Sequence, residues 1–196
     1  MITLVVHHRV RDYDAWKPVF DEHEDVRREH GAAEHRIYRM LDDGDMVAIH
    51  LDFPSVDAAR GFMADPSLGE ALERGGVEGE PGHGFLELTE RKVYVDGAGG
   101  EPAILVVHHR VADFGAWKPV FDDHETVRRQ HGETEHRLFQ DPLEPNRIVV
   151  HNDFPSRDAA QGFMADPSLP EAMERAGVVG EPGIGLARLG ERKEYA

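Results

Sequence analysis

Slid against itself by 101 positions, the sequence matches without a gap: residues 2–95 and 103–196 agree at 57 of 94 positions. VVHHRV at 5–10 returns at 106–111, AWKPVFD at 15–21 at 116–122, and GFMADPSL at 61–68 at 162–169. A chain repeated at this length must fold as two like halves, because the same local signals recur in the same order. The seam, DGAGGEP at 96–102, is small and flexible and reads as a linker. The expected organisation is therefore a first half over 1–95, a linker over 96–102 and a second half over 103–196.

Within one half, residues 2–10 alternate and predict a strand, with Leu4, Val6, His8 and Val10 on one face and Val5, His7 and Arg9 on the other. Residues 13–30 carry a helical stripe of Trp16, Val19, Phe20, His23, Val26, Arg27 and His30, ended by Gly31, with a break near Pro18 allowed for. Strands follow at about 35–41 and 46–53 around the turn Asp42-Asp43-Gly44-Asp45. Ser55 caps a second helix that Asp65-Pro66 divides into 56–64 and 67–74, and a Gly/Pro-rich loop at 75–84 leads to a last strand at about 85–94. The order βαββαβ is the ferredoxin-like α+β unit, an antiparallel sheet with both helices on one face. Its other face is left bare, so the expected architecture packs the two halves sheet to sheet as an internal pseudo-dimer, a barrel held in one chain.

Charge narrows the partners. With 38 acidic against 22 basic residues the formal net charge is −16, and the basic residues are interleaved with acids, which argues against nucleic acid and anionic membranes. No cysteine is present, which removes disulfides, thiolate nucleophiles and Cys-ligated metals. The start of the chain lacks a basic n-region and no apolar run is long enough to span a bilayer, so a cytoplasmic protein acting on a small molecule is expected. Further homo-oligomerisation is left open. Histidine is the conspicuous residue, 13 of 196.

His23 and its copy His124 lie mid-stripe on the first helix, so each imidazole should face the sheet as base, acid or ligand, or as a hydrogen-bonded core residue. His8 and His109 are the one polar place on an apolar strand face. Only one of His7 and His8 can share a pocket with His23, and His8 is expected on the helix side. Arg27 and Arg128 fall inside the buried sector, where a guanidinium snorkels or meets an acid from the protein or a substrate. Trp16 and Trp117 are core anchors at the same stripe. His50 and His151 share a strand face with Asp52 and Asp153, and a carboxylate there could fix the imidazole tautomer. If Val47, Ile49, Leu51 and Phe53 face the helices, His50 faces away from His23. His30, His35 and their copies read as surface or cap residues.

VVHHRVRDYDAWKPVFDEHE, then a hairpin and DFPSVDAARGFMADPSLGEALERGGV, resembles the dimeric α+β barrel superfamily that includes antibiotic-biosynthesis monooxygenases, most of all short members labelled "cyclase". The resemblance spans all six elements of both halves. It implies a cofactor-independent oxygenase or cyclase acting on an aromatic or polyketide-like substrate. The heme-degrading branch carries an Asn on the first strand and a His on the second helix; residues 2–10 hold no Asn and 55–75 no His, so heme is disfavoured.

The leading expectation is an enzyme with one pocket per half between sheet and first helix. His23 and His124 exchange protons, His8 and His109 assist or bind a carbonyl oxygen, and Trp16, Arg27, Trp117 and Arg128 hold substrate, with no cofactor. A second is a transition-metal site (copper, zinc, nickel or iron) drawn from His8, His23, His50, His109, His124 and His151. A third is a non-catalytic binding or stress-response module, which expects no pocket in either half.

Overall fold

The computed structural model describes residues 1–95 and 102–195. The expected linker therefore lies outside the described residues except for Pro102. Each repeat builds the same sequence of elements. The first runs β1 (Ile2–Val10), α1 (Tyr13–Glu22), α2 (Glu24–Glu29), β2 (Glu34–Met40), β3 (Met46–Phe53), α3 (Val56–Met63), α4 (Pro66–Arg74) and β4 (Val77–Val93). The second runs β5 (Ala103–Val111), α5 (Phe114–Asp123), α6 (Glu125–Gln130), β6 (Glu135–Gln140), β7 (Arg147–Phe154), α7 (Arg157–Met164), α8 (Ser168–Arg175) and β8 (Val178–Glu194). The fold class is the expected one, α+β with ferredoxin-like βαββαβ repeats.

Local chemistry explains most boundaries. Asp12 caps α1 by accepting from the amides of Asp14 and Ala15, Ser55 caps α3 through Ala58, and Asp65 caps α4 with Pro66 in its first turn. Two expectations need correction. The first helix breaks at His23 rather than near Pro18, and the Phe20 carbonyl accepts from the Arg27 guanidinium at 2.7 Å. The supposed loop at 75–84 is largely strand. β4 starts at Val77 and pairs antiparallel with β1, with a register shift opposite His7 to Arg9 where Gly79 takes φ +72°. Glycine and Pro81 read as a loop in sequence, but here they make a bulge.

The compact units exchange strand ends between repeats. One unit comprises the described residues of Met1–Glu87 and Leu189–Ala196, the other those of Leu88–Arg188. In the first unit β1 lies between β3 and β4, β3 pairs with β2, and β2 is bordered by β8. In the second, β5 lies between β7 and β8, β7 pairs with β6, and β6 is bordered by β4. In the first unit Leu4, Val10, Val47, Ile49, Leu51 and Phe53 pack with Trp16, Ala59 and Phe62 of the helices, which fixes the helix-covered face of the sheet. Among the described residues no helix is long and apolar enough to cross a membrane.

Candidate functional site

Each unit holds a cavity between its sheet and its helices. In the first unit it measures about 70 Å³, with Val6, Ile49 and Leu51 on the sheet side and Phe62, Leu68 and Leu72 on the helix side. Its counterpart in the second unit measures about 140 Å³. Into the first project His8, Trp16, His23 and Arg27; into the second, His109, Trp117, His124 and Arg128. Strand alternation brings His8 to this face and helix geometry brings His23 to meet it.

His8 is 5 % exposed, and both its ring nitrogens are buried without a hydrogen-bond partner among the described residues. Burial first, and His7 second, lower its pKa to about 4. The ring is therefore neutral at ordinary pH and offers the cavity one N–H donor and one lone pair. His109 repeats this, with both nitrogens unpartnered and its pKa lowered by burial to about 4.

His23 is oriented by a relay. The Ser67 hydroxyl lies 2.5 Å from Asp65 Oδ1, and His23 Nε2 lies 2.8 Å from Ser67 Oγ. A carboxylate only accepts, so Ser67 donates its single proton to Asp65 and accepts from His23 Nε2–H, which leaves Nδ1 as the lone pair of the ring. Asp65 also accepts from His30 Nε2 at 2.9 Å, and the bonds from Ser67 and His30 hold its pKa down to about 2. Burial, then the Arg27 charge, lowers the pKa of His23. The second unit repeats the arrangement: His124 Nε2 to Ser168 Oγ at 2.9 Å, Ser168 to Asp166 at 2.6 Å, and His131 to Asp166 at 2.8 Å. A base whose far nitrogen is tied through a hydroxyl to a carboxylate keeps one tautomer and is stabilised when it takes a proton, the logic of a catalytic triad.

Arg27, 1 % exposed, does not snorkel, and it meets no acid side chain among the described residues. Its Nε donates to the Tyr195 hydroxyl at 2.7 Å, its Nη1 to the Phe20 carbonyl, and its plane lies 3.8 Å over the Phe20 ring, while Nη2 has no hydrogen-bond partner among the described residues. Tyr195 in turn bonds His35 Nδ1 at 2.7 Å, and His35 Nε2 reaches Glu191 at 2.7 Å. The expectation that His35 and His136 are surface residues is thus corrected. They are 0 % and 1 % exposed, covered by strand ends from the other repeat: Glu191 and Tyr195 on one, Glu90 and Tyr94 on the other. In the second unit Arg128 does meet an acid, Glu133, both of whose oxygens lie 3.1 Å from Nε.

Trp16 packs against Phe20 with the rings tilted and their centroids 5.0 Å apart, and turns an edge toward His8 at 6.0 Å, as a core anchor does. His50 and His151 do not join these groups. They are buried against Tyr38 and Phe139, with ring centroids 4.7 and 5.3 Å apart, and line neither of these two cavities. Asp52, expected beside His50, accepts instead from Thr3 and Arg36, each at 2.6 Å. Among the described residues no group of three or more His, Asp or Glu is placed to hold a metal ion, so the His8, His23 and His50 set is not assembled. Sequence reasoning missed Ser67, Asp65, Tyr195, Glu133 and Asn152. Asp65 is visible as the N-cap of α4, with Ser67 in its first turn; Tyr195 carries no local signal because it arrives from the far repeat.

No protein-family model matches the chain, and no curated protein matches it. Solved structures do. A protein described as anthrone oxidase-like superposes with a TM-score of 0.71 at 12 % identity, covering 98 % of this chain and 92 % of its own. A candidate monooxygenase from Lactobacillus acidophilus gives 0.61 at 12 % identity over 98 % and 95 %. A ferredoxin-fold protein of Listeria monocytogenes, related to antibiotic biosynthesis monooxygenases, gives 0.55 at 6 % identity over 97 % and 95 %. The shared property is the fold. At these identities chemistry has to be argued from the cavities themselves.

Proposed function

We propose that the chain is a monooxygenase-like enzyme acting, without a cofactor, on an aromatic or polyketide-like substrate in each cavity. The observation that carries this is the pairing of two neutral imidazoles at one apolar cavity, one tethered by the Ser67–Asp65 relay and one with both nitrogens unpartnered. His23 Nδ1 takes a proton from an activated C–H of the substrate, and the relay stabilises the imidazolium. The N–H of His8 donates to the oxygen on which the carbanion's charge settles, in a dry site where such a bond is strong. The carbanion then reduces dioxygen to a carbon-bound hydroperoxide, which loses water to leave a ketone. Trp16 and Arg27 hold the ring system. His124, His109, Trp117 and Arg128 do the same in the second unit. A cyclase reading uses the same base and donor without dioxygen.

The fold shared with an anthrone oxidase-like protein agrees with this chemistry, and a cavity in each unit weighs against the non-catalytic reading, which expects none. Dioxygen uptake with a panel of anthrone-type tricyclic ketones tests it. His23→Ala combined with His124→Ala is expected to lower the rate at least about a hundredfold, with the circular dichroism spectrum unchanged. Full turnover in the folded double variant would overturn the assignment.

A further inference from the structure

The two cavities differ in one buried charge. Around Arg27 and Arg128 the surroundings are otherwise matched: a Phe20 or Phe121 carbonyl accepts Nη1, the same ring lies beneath the guanidinium, and a Tyr, a buried His and a Glu bound to Lys17 or Lys118 lie behind. At the position where the second repeat has Glu133, the first has Ala32. The Nη2 of both arginines lacks a hydrogen-bond partner among the described residues, but the Nε of Arg128 is paired with a buried carboxylate, whereas the Nε of Arg27 is held by the neutral Tyr195 hydroxyl. Burial raises the pKa of Tyr195, so that hydroxyl keeps its proton. A second exchange points the same way. Leu51 in the first cavity becomes Asn152 in the second, buried and with an amide oxygen that lacks a hydrogen-bond partner among the described residues.

Taking the cavities as ligand sites, as in the functional reading above, we propose that they select different ligands: the first unit binds an organic anion, an aromatic carboxylate or enolate, against the unpartnered Nη2 of Arg27, and the second binds a neutral polar aromatic. A buried cation without a counterion is costly, and an anionic ligand is the group that would neutralise it. In the second unit Glu133 already supplies that charge, so a second anion would be repelled, while Asn152 offers hydrogen bonds to an uncharged group.

The chain contains two tryptophans, Trp16 and Trp117, one at each cavity. Protein labelled with 5-fluorotryptophan therefore reports each cavity by its own ¹⁹F resonance, assigned with Trp16→Phe and Trp117→Phe. Benzoate and benzamide, alike in shape and different in charge, serve as probes at pH 8, above the value of about 7 to which burial raises Glu133. Benzoate is expected to shift the Trp16 line at concentrations at least about tenfold below those that move the Trp117 line, and benzamide to lack that preference. Ala32→Glu should remove the benzoate response at Trp16, and Glu133→Ala, which leaves Arg128 in the surroundings Arg27 has naturally, should create one at Trp117. Equal responses to benzoate at both lines, silence at both, or a preference unmoved by Glu133→Ala would overturn the proposal. Turnover retained in the His23/His124 double variant would sink the catalytic reading alone, since this experiment reads equilibrium binding.

Discussion

His8 and His109 make the acid side of the stability curve a readout of the cavities. The unfolded chain protonates such residues near pH 6.5, whereas burial lowers the folded-state value of each to about 4. As the pH falls below about 6.5 the unfolded state therefore takes up protons first, and stability is lost progressively until about pH 4, by about 3 kcal/mol per histidine. His8→Leu should remove its share of that slope, measured as urea midpoints between pH 7.5 and 4; an unchanged slope would contradict a buried, unpaired imidazole. The inward direction of His8 was legible because a strand alternates. The Arg27–Tyr195–His35 chain was not, because its members lie far apart in sequence and only tertiary structure joins them.

At the scale of elements, caps and relay share residues. Ser55 caps α3 and lines neither of the two cavities described, so Ser55→Ala should cost about 1 kcal/mol by urea denaturation and leave turnover intact. Asp65 caps α4 and also anchors the relay to His23. Asn caps helices as well as Asp does but carries no charge to stabilise an imidazolium. Asp65→Asn with Asp166→Asn should thus keep the helices, read by far-ultraviolet circular dichroism, while turnover falls at least about tenfold; loss of the helical signal, or turnover left unchanged, would contradict the double duty. The six-element order of each repeat was readable from periodicity, Ser55, Asp65 and Gly31. The entry of β4 was hidden because Gly79 and Pro81 signal a loop and a bulge equally well.

For the whole molecule, the repeat at an offset of 101 residues made the two halves visible at once. It did not reveal that each unit is finished by the strand end of the other repeat, since identical repeats look the same whether or not they trade ends. Arg192 bonded to Glu34, the Tyr195 amide on the Ala33 carbonyl, and Glu191 on His35 complete the first unit. A fragment of residues 1–95 lacks these groups and is expected to sediment as a homodimer, supplying its own Glu90 and Tyr94 in exchange, or to stay unfolded; a folded monomer in analytical ultracentrifugation would contradict the exchange. Both units converge on one requirement, a histidine whose lone pair sits on Nδ1. Long-range ¹H–¹⁵N correlation spectra of the histidines at pH 7.5 measure this directly. The account predicts that His23 and His124 carry their proton on Nε2 with Nδ1 bare, whereas Nδ1–H tautomers, or charged rings at that pH, would contradict it.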